Sequence, residues 1–178
     1  MHRLFVAIEI PQAVRQMLAL LQGGVPGARW VSPDNFHLTL RFIGDVSPPA
    51  ISDLIAGLGQ ISAPAFTLQL EGVGSFGNGR TKSVLWAGVQ RSDALKFLRD
   101  KVDRAVVASG FAPDGRKFTP HITLAYAKQA PTNRLTGWLG DHALFRSQAI
   151  EVAGFALMES RRGGEGSVYT ELAQFDLA

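Results

Sequence analysis

Two short segments of the chain carry the same arrangement of chemically active residues. Residues 37–40 read His-Leu-Thr-Leu and residues 121–124 read His-Ile-Thr-Leu, so the pattern recurs after 84 positions. The chain has only four histidines and eight threonines in 178 residues. By template counting, a shuffled sequence would contain this double pattern roughly once in two thousand trials. We therefore interpret the two motifs as a functional pair.

Each motif is expected to lie on a β-strand. Side chains two positions apart in a strand point to the same face, so His37 and Thr39 share one face, as do His121 and Thr123. The apolar residues between them point to the opposite face and can anchor the strand in a core. Two such strands facing one cleft would gather two imidazoles and two hydroxyls around a single point.

These four groups suit the hydrolysis of a cyclic phosphodiester. One histidine can take a proton from the attacking water while the other gives a proton to the departing ribose oxygen. Imidazole, with an ordinary pKa of about 6.5, can do either near neutral pH. A threonine hydroxyl can donate a hydrogen bond to a non-bridging phosphate oxygen. His37 and His121 are therefore the candidate acid–base pair, and Thr39 and Thr123 are the candidate phosphate ligands.

Hydrophobic periodicity and turn residues predict an alternation of strands and helices that would position these motifs. We expect strands at 3–10, 28–31, 36–43, 65–72, 83–89, 121–126, 150–159 and 167–177, and helices at 12–22, 49–61, 93–109 and 133–139. Segment 32–35 reads as the turn of a hairpin, 161–166 as the turn of a closing hairpin, and 74–82 as an irregular glycine-rich segment. This mixture of hairpins and helices predicts the α+β class.

Composition narrows the setting of the protein. The formal net charge is +3 with a pI of about 9.6, which mildly favours anionic partners. There are no cysteines, which excludes disulfides, thiolate metal sites and a cysteine nucleophile. The amino-terminal apolar run is too short for a signal peptide, and no segment has 18 consecutive apolar residues. We expect a cytoplasmic protein that acts as a monomer and does not bind a membrane.

Beyond the two motifs, the chain resembles the two-histidine (2H) phosphoesterases, in the branch of RNA 2′,3′-cyclic phosphodiesterases and 2′-5′ RNA ligases. The likeness covers nearly the whole chain and is carried by segments 3–8, 30–31, 37–44, 85–86, 118–125, Ser160 and 169–170. It implies one bilobal domain over 1–178, with pseudo-twofold antiparallel sheets, helices on the outside and a central cleft. It also implies that His37 is the proton donor and His121 the proton acceptor.

The resemblance further implies the substrate and the absence of a cofactor. The expected substrate is RNA with a 2′,3′-cyclic phosphate end or a 2′-5′ linkage, and the expected product is a 2′-phosphomonoester. Reversible 2′-5′ joining stays open as a second activity. No metal is required, and the absence of a GxxxxGK[ST] phosphate loop argues against ATP-driven ligation.

Further residues are candidates for contacts with RNA. Where the family often has arginine after the second motif, this chain has Tyr126, and the candidate replacements are Lys128, Lys117 and Arg41. Period-two counting puts Arg41 on the face of His37. The glycine-rich segment offers an aromatic ring between cations that could stack a base and contact phosphates. Its candidate residues are Phe76, Arg80 and Lys82. Solvated surface charge is the competing interpretation for each cation.

Two alternative functions stay open on the sequence alone. A zinc hydrolase could use the same histidines, although no His-Glu-x-x-His or carboxylate cluster accompanies them. A basic α+β RNA-binding module without turnover is the other alternative. Chelator sensitivity and turnover of a cyclic nucleotide distinguish the three.

Overall fold

The computed structural model of the protein describes residues 1–77, 81–164 and 166–178. Within these ranges the chain forms ten β-strands, four α-helices and a short 3₁₀ helix at Pro33–Asn35. In chain order they are β1 (His2–Glu9), α1 (Gln12–Ala19), β2 (Ala28–Trp30), β3 (His37–Val46), α2 (Pro48–Gly59), β4 (Phe66–Leu68), β5 (Leu70–Gly77), β6 (Lys82–Val89), α3 (Asp93–Ala108), β7 (His121–Lys128), α4 (Thr132–Asp141), β8 (Ile150–Val152), β9 (Gly154–Gly163) and β10 (Gly166–Asp176).

The strands form two four-stranded antiparallel sheets, one in each lobe. The first sheet has the order β10-β9-β1-β3 and the second has the order β2-β7-β6-β5, while β4 and β8 form a small separate pair. The succession β1-α1-β3-α2 in the first lobe returns as β6-α3-β7-α4 in the second. This repeated order confirms the predicted α+β class and its pseudo-twofold sheets.

Helix α3 shows how local sequence fixes an element. Its buried side chains recur at three- and four-residue steps, and they are Leu95, Leu98, Val102 and Val106. The Ser92 hydroxyl accepts a hydrogen bond from the Leu95 backbone N–H at 3.1 Å and caps the first turn. Gly110 follows the helix with φ of +103°, a conformation that glycine adopts without strain. The predicted helix at 93–109 is thereby confirmed to within one residue.

The predicted hairpin between 28–31 and 36–43 is wrong. Strand β2 pairs with β7 in the second sheet, whereas β3 pairs with β1 in the first. The 3₁₀ helix between them carries the chain from one lobe to the other. Turn residues mark where a chain reverses, but the pairing depends on partners far along the sequence.

Two other boundaries also differ from the sequence prediction. The closing hairpin is formed by β9 and β10 alone, because the first residues of the predicted strand 150–159 form β8 and pair with β4. The predicted strand 65–72 is divided into β4 and β5, and β5 continues through Gly77 into the segment predicted to be irregular. No helix of the described residues has the length and apolar character needed to cross a bilayer.

Both motif strands contain a β-bulge at the same place. Val6 and Ala7 of β1 pair with Arg41 and Thr39, so Leu40 is an extra residue on β3. Leu85 and Trp86 of β6 pair with Ala125 and Thr123 in the same way, so Leu124 is an extra residue on β7. In each strand two consecutive side chains then point into the core, and the alternation of faces is reversed beyond the motif.

Candidate active site

The two motif histidines are held in the same way. The Nδ1 atom of His37 lies 2.7 Å from the backbone carbonyl of Asn35, and the Nδ1 atom of His121 lies 2.7 Å from the carbonyl of Thr119. A carbonyl oxygen only accepts, so Nδ1 carries the hydrogen in both rings. The Nε2 atom of each ring is therefore the one that exchanges a proton, as acceptor when the ring is neutral and as donor when it is charged.

The surroundings of His37 are aromatic and enclosed. Its ring centroid is 4.8 Å from that of Phe5 on β1 and 5.1 Å from that of Tyr169 on β10, with Tyr169 perpendicular to it. Burial holds the pKa of His37 below its ordinary 6.5, and the positive charges of His121 and Arg15 lower it further. The hydrogen bond to the Asn35 carbonyl acts in the opposite direction and raises the pKa.

His121 has aromatic neighbours of its own. Phe76 on β5 is perpendicular to the imidazole at 4.9 Å, and Trp86 on β6 lies 6.1 Å from it. The indole of Trp86 lies over Gly74, where a Cβ atom would come within 2.3 Å of two ring carbons. The glycine in this strand therefore makes room for the aromatic support of the second histidine.

The threonines lie beside the histidines on the half-buried face of their strands, as the period-two pattern predicts. Thr39 and His121 together line a cavity of about 260 Å³, so residues of both sheets meet there. Thr123 is opposite Trp86 in the β6–β7 register. His37 and Thr123 do not line that cavity, but the charge of His121 lowers the pKa of His37, so the two imidazoles are within electrostatic reach of each other.

Two of the candidate RNA contacts line this same cavity, which we call the active-site cavity. Phe76 is 37% exposed and forms part of its wall, and Lys117 lies in the loop that leads to His121. Sequence reasoning missed Phe42, which is 38% exposed and also lines the cavity. Strict alternation from Thr39 would have buried Phe42, and only the bulge at Leu40 exposes it.

The predicted position of Arg41 is wrong for the same reason. Its side chain is 6% exposed and points away from the cleft, where it forms an ion pair with Asp103 of α3 and donates to the carbonyl of Ala112. Arg41 thus connects the first motif strand to the loop that precedes the second motif. A contact between Arg41 and RNA is not supported.

Two of the remaining candidates lie on a second cavity. Lys82 and Tyr126 line a space of about 920 Å³, together with Tyr169, the edge-on neighbour of His37. Arg80 lies outside the described residues. Within 1–77, 81–164 and 166–178, no group of three or more histidine, aspartate or glutamate side chains is arranged to hold a metal ion.

Comparison with known proteins agrees with this geometry. The sequence model of the family described as LigT-like phosphoesterase matches residues 8–86 and 88–169, one match in each half of the chain. The RNA 2′,3′-cyclic phosphodiesterase of Aeropyrum pernix is 34% identical over 87% of this chain and 89% of its own length. The protein of the same name from Thermus thermophilus is 35% identical over 98% of this chain and 90% of its own length.

A solved structure extends the likeness to three dimensions. The crystal structure of E. coli LigT complexed with 3′-AMP superposes with a TM-score of 0.80 at 29% identity, covering 99% of this chain and 98% of that chain. The predicted resemblance to the two-histidine phosphoesterases is thereby confirmed. The chain belongs to the LigT-like phosphoesterase family.

Proposed function

We propose that the protein is an RNA 2′,3′-cyclic phosphodiesterase. The observation that carries the proposal is that Thr39 of the first His-x-Thr motif and His121 of the second line one cavity, and that the Nδ1 atoms of both motif histidines are tied to backbone carbonyls. Each histidine then has only its Nε2 atom available for proton transfer. The names of the curated relatives, several of which share about a third of their residues with this chain, support the same reaction.

The geometry and the family resemblance together define the reaction step. Water attacks phosphorus, and Nε2 of His121 takes its proton as the new P–O bond forms. The bond to the ribose 3′ oxygen breaks, and Nε2 of His37 gives that oxygen a proton. The product is a 2′-phosphomonoester with a free 3′ hydroxyl, and the two histidines have exchanged protonation states.

Thr39 and Thr123 would hold the non-bridging oxygens. Each lies two residues after its histidine on the same half-buried strand face, so each hydroxyl lies on the side of the strand from which its own imidazole would meet the phosphate. A hydroxyl on a β-branched side chain has few rotamers to lose when it binds. Lys117 adds a positive charge at the wall of the active-site cavity.

In the free protein, burial and the charge of His121 act against the protonation state that this step needs, because both lower the pKa of the donor His37. A charge on His121 lowers the pKa of His37, so the doubly charged state is disfavoured. In the free protein His37 is neutral above its lowered pKa. A bound phosphate anion favours the charged imidazole and so restores the donor.

The decisive experiment uses an oligoribonucleotide that ends in a 2′,3′-cyclic phosphate and separates the 2′-phosphate product from the 3′-phosphate. We expect the 2′-phosphate. A 3′-phosphate product would show that the 2′ oxygen, and not the 3′ oxygen, is the leaving group. Binding without turnover would favour the RNA-binding alternative.

A matched assay after dialysis against EDTA separates the metal-independent mechanism from the zinc alternative. Because two imidazoles and two hydroxyls supply the required groups, activity should persist after dialysis. Complete loss that zinc restores would establish the zinc hydrolase instead.

We also propose that the protein acts as a monomer in the cytoplasm. One chain supplies both histidines and both threonines, so a second copy is not needed to complete the cleft. Sedimentation velocity at the concentration used for the activity assay tests the oligomeric state. Fractionation of cells followed by immunodetection tests the compartment.

A further inference from the structure

The second cavity differs from the active-site cavity in the charge of its walls. It is lined by four cationic side chains, which are Arg3 on β1, Arg29 on β2, Lys82 on β6 and Arg162 on β9. We call it the basic cavity. No acidic side chain among the described residues lines it. At about 920 Å³ it lies in the size range of pockets that hold sizeable ligands.

These four cations have no carboxylate partner in the part of the chain that the structure describes. Neither the ion pairs within 4.0 Å nor the side-chain hydrogen bonds of the described residues include them. Several other arginines are paired with carboxylates. Arg99 is paired with Asp100 and Asp114, and Arg161 is paired with Glu159. The basic cavity therefore brings four cations without a carboxylate partner together in one place.

Two of the guanidinium groups are held in place by aromatic rings. Arg29 lies 5.7 Å from the ring centroid of Tyr126, and Arg3 lies 5.2 Å from that of Phe42. This contact uses the face of the guanidinium and leaves its N–H donors available. An arginine held in this way loses less side-chain entropy when it binds a phosphate.

The basic cavity connects to one of the two motif histidines, His37, through a single side chain. Tyr169 lines the basic cavity and also packs edge-on against His37, with ring centroids 5.1 Å apart. A 2′,3′-cyclic phosphate lies at the 3′ end of an RNA strand, so the rest of the strand must leave the cleft on its 5′ side. The basic cavity offers an exit in which each further phosphate meets an unpaired cation.

The active-site cavity is a poorer exit for the strand. It is smaller, and its arginines Arg99 and Arg116 are both within ion-pair distance of Asp114. Among the described residues that line it, this leaves Lys117 as the cation without a carboxylate partner. Its walls include the rings of Phe42, Phe76 and Phe118, which suit a nucleobase better than a phosphate. The two cavities thus differ in what they can hold.

We propose that the basic cavity binds the backbone phosphates of the nucleotides on the 5′ side of the reactive end, so that the preferred substrate is an oligonucleotide. This proposal rests on the proposed function and specifies its substrate class. Arg29 and Arg162 come from different lobes, so a strand that contacts both spans the cleft. A mononucleotide fills the catalytic centre and leaves these cations without a ligand.

The test compares two substrates with the same terminal base, adenosine 2′,3′-cyclic phosphate and a tetraadenylate with a 2′,3′-cyclic phosphate end. The wild type should have a kcat/KM at least about tenfold higher on the tetranucleotide, since it adds phosphates that reach the cations. Arg29→Ala and Arg162→Ala should each lower that value about threefold to tenfold, as for partly exposed charge-assisted contacts. Neither substitution should change kcat/KM on the mononucleotide.

Salt dependence gives a second readout that a merely structural role would not change. For a single strand, log affinity falls with log salt by about 0.7 per phosphate contact. In a plot of log kcat/KM on the tetranucleotide against log salt, the slope of the double variant Arg29→Ala/Arg162→Ala should therefore be shallower than that of the wild type by roughly 1.4. The matched control is Arg91→Ala/Arg104→Ala, which removes two exposed arginines that line neither cavity and should keep the wild-type slope.

The outcomes separate the two proposals. If the wild type has the same kcat/KM on both substrates, or if the double variant loses equally on both, the basic cavity is not the site that binds the strand. Hydrolysis of the mononucleotide would still uphold the proposed function in either case. Hydrolysis of neither substrate would overturn the proposed function. Fluorescence anisotropy with a tetraadenylate bearing a 2′-phosphate is then decisive for the cavity: weaker binding by the double variant supports it, and unchanged binding refutes it.

Discussion

The first and second motif strands share one design but give their histidines different surroundings. In both strands the imidazole donates Nδ1–H to the carbonyl two residues before it, and a bulge follows the motif at the same step. His37, however, is enclosed by Phe5 and Tyr169, and burial lowers its pKa. His121 lines an open cavity instead. Duplication of the strand supplies two similar groups, and unequal burial makes them chemically different.

The largest expected effect comes from removing either histidine. His37→Ala and His121→Ala should each lower turnover of a cyclic phosphate by roughly 10²–10⁴-fold, the usual cost of losing a general acid or base. At 1.36 kcal/mol per tenfold, this is about 2.7–5.4 kcal/mol of barrier. Steady-state kinetics on purified variants with unchanged circular dichroism provide the measurement. Near-normal turnover by either folded variant would refute the acid–base pair.

The bulges allow a second test, because Arg41 and Ala125 occupy equivalent positions in the two strands. Only Arg41 carries a buried ion pair, so Arg41→Ala leaves Asp103 without its cation and Ala112 without a donor. We expect a loss of about 2–4 kcal/mol in the free energy of unfolding, below the full value for a wholly buried pair because Asp103 is partly exposed.

Urea unfolding with Arg161→Ala as control measures this loss. Arg161 is 65% exposed and lies 3.4 Å from Glu159, so its removal should change stability by less than about 1 kcal/mol. Equal effects of the two substitutions would show that the Arg41 pair contributes no more than a surface contact.

The threonines give a smaller effect that compares the two motifs directly. Thr39→Val and Thr123→Val each keep the side-chain shape and remove the hydroxyl. A hydrogen bond to a charged group contributes about 1.5–3 kcal/mol, so each variant should lose roughly 10- to 150-fold in kcat/KM. Thr67→Val, on the small β4–β8 pair, is the control and should keep wild-type activity. A loss confined to one motif would show that only that lobe holds the phosphate.

The pH dependence should show the smallest but most specific difference. If His37 is the donor, kcat/KM is lost as pH rises through its free-protein pKa, so the alkaline limb should lie below 6.5. The alkaline limb of the kcat profile should lie at a higher pH than that of the kcat/KM profile, because a bound phosphate favours the charged imidazole. The two limbs belong to a coupled pair. Loss of the acidic limb in His37→Asn, with the alkaline limb kept, would reverse the assigned roles.

The features that were predictable from sequence depend on local pattern. The shared face of His37 and Thr39 follows from the two-residue period of a strand, and helix α3 follows from its apolar stripe and its cap at Ser92. The family resemblance then supplied the two-lobed arrangement, which matches the two sheets of the structure. Each of these inferences needs only residues that are close in sequence or a known relative.

The features that were not predictable depend on distant partners. The bulge at Leu40 exists only in relation to the register of β1, so period-two counting placed Arg41 on the face of His37, and the structure instead buries Arg41 and exposes Phe42. The basic cavity joins Arg3, Arg29 and Arg162, which lie on three strands of two sheets. No spacing rule connects such positions, because their proximity is created by the packing of the lobes.

The paired bulges have a consequence for how such a cleft can diversify. In each strand the fifth residue after the histidine is exposed, and these two residues are Phe42 and Tyr126. Phe42 lines the active-site cavity and Tyr126 lines the basic cavity. Both positions can therefore be randomised in a library without opening a hole in the hydrophobic core, whereas the neighbouring Arg41 and Ala125 cannot. Evolution or a designer can retune recognition there while the fold and the proton-transfer chemistry are inherited unchanged.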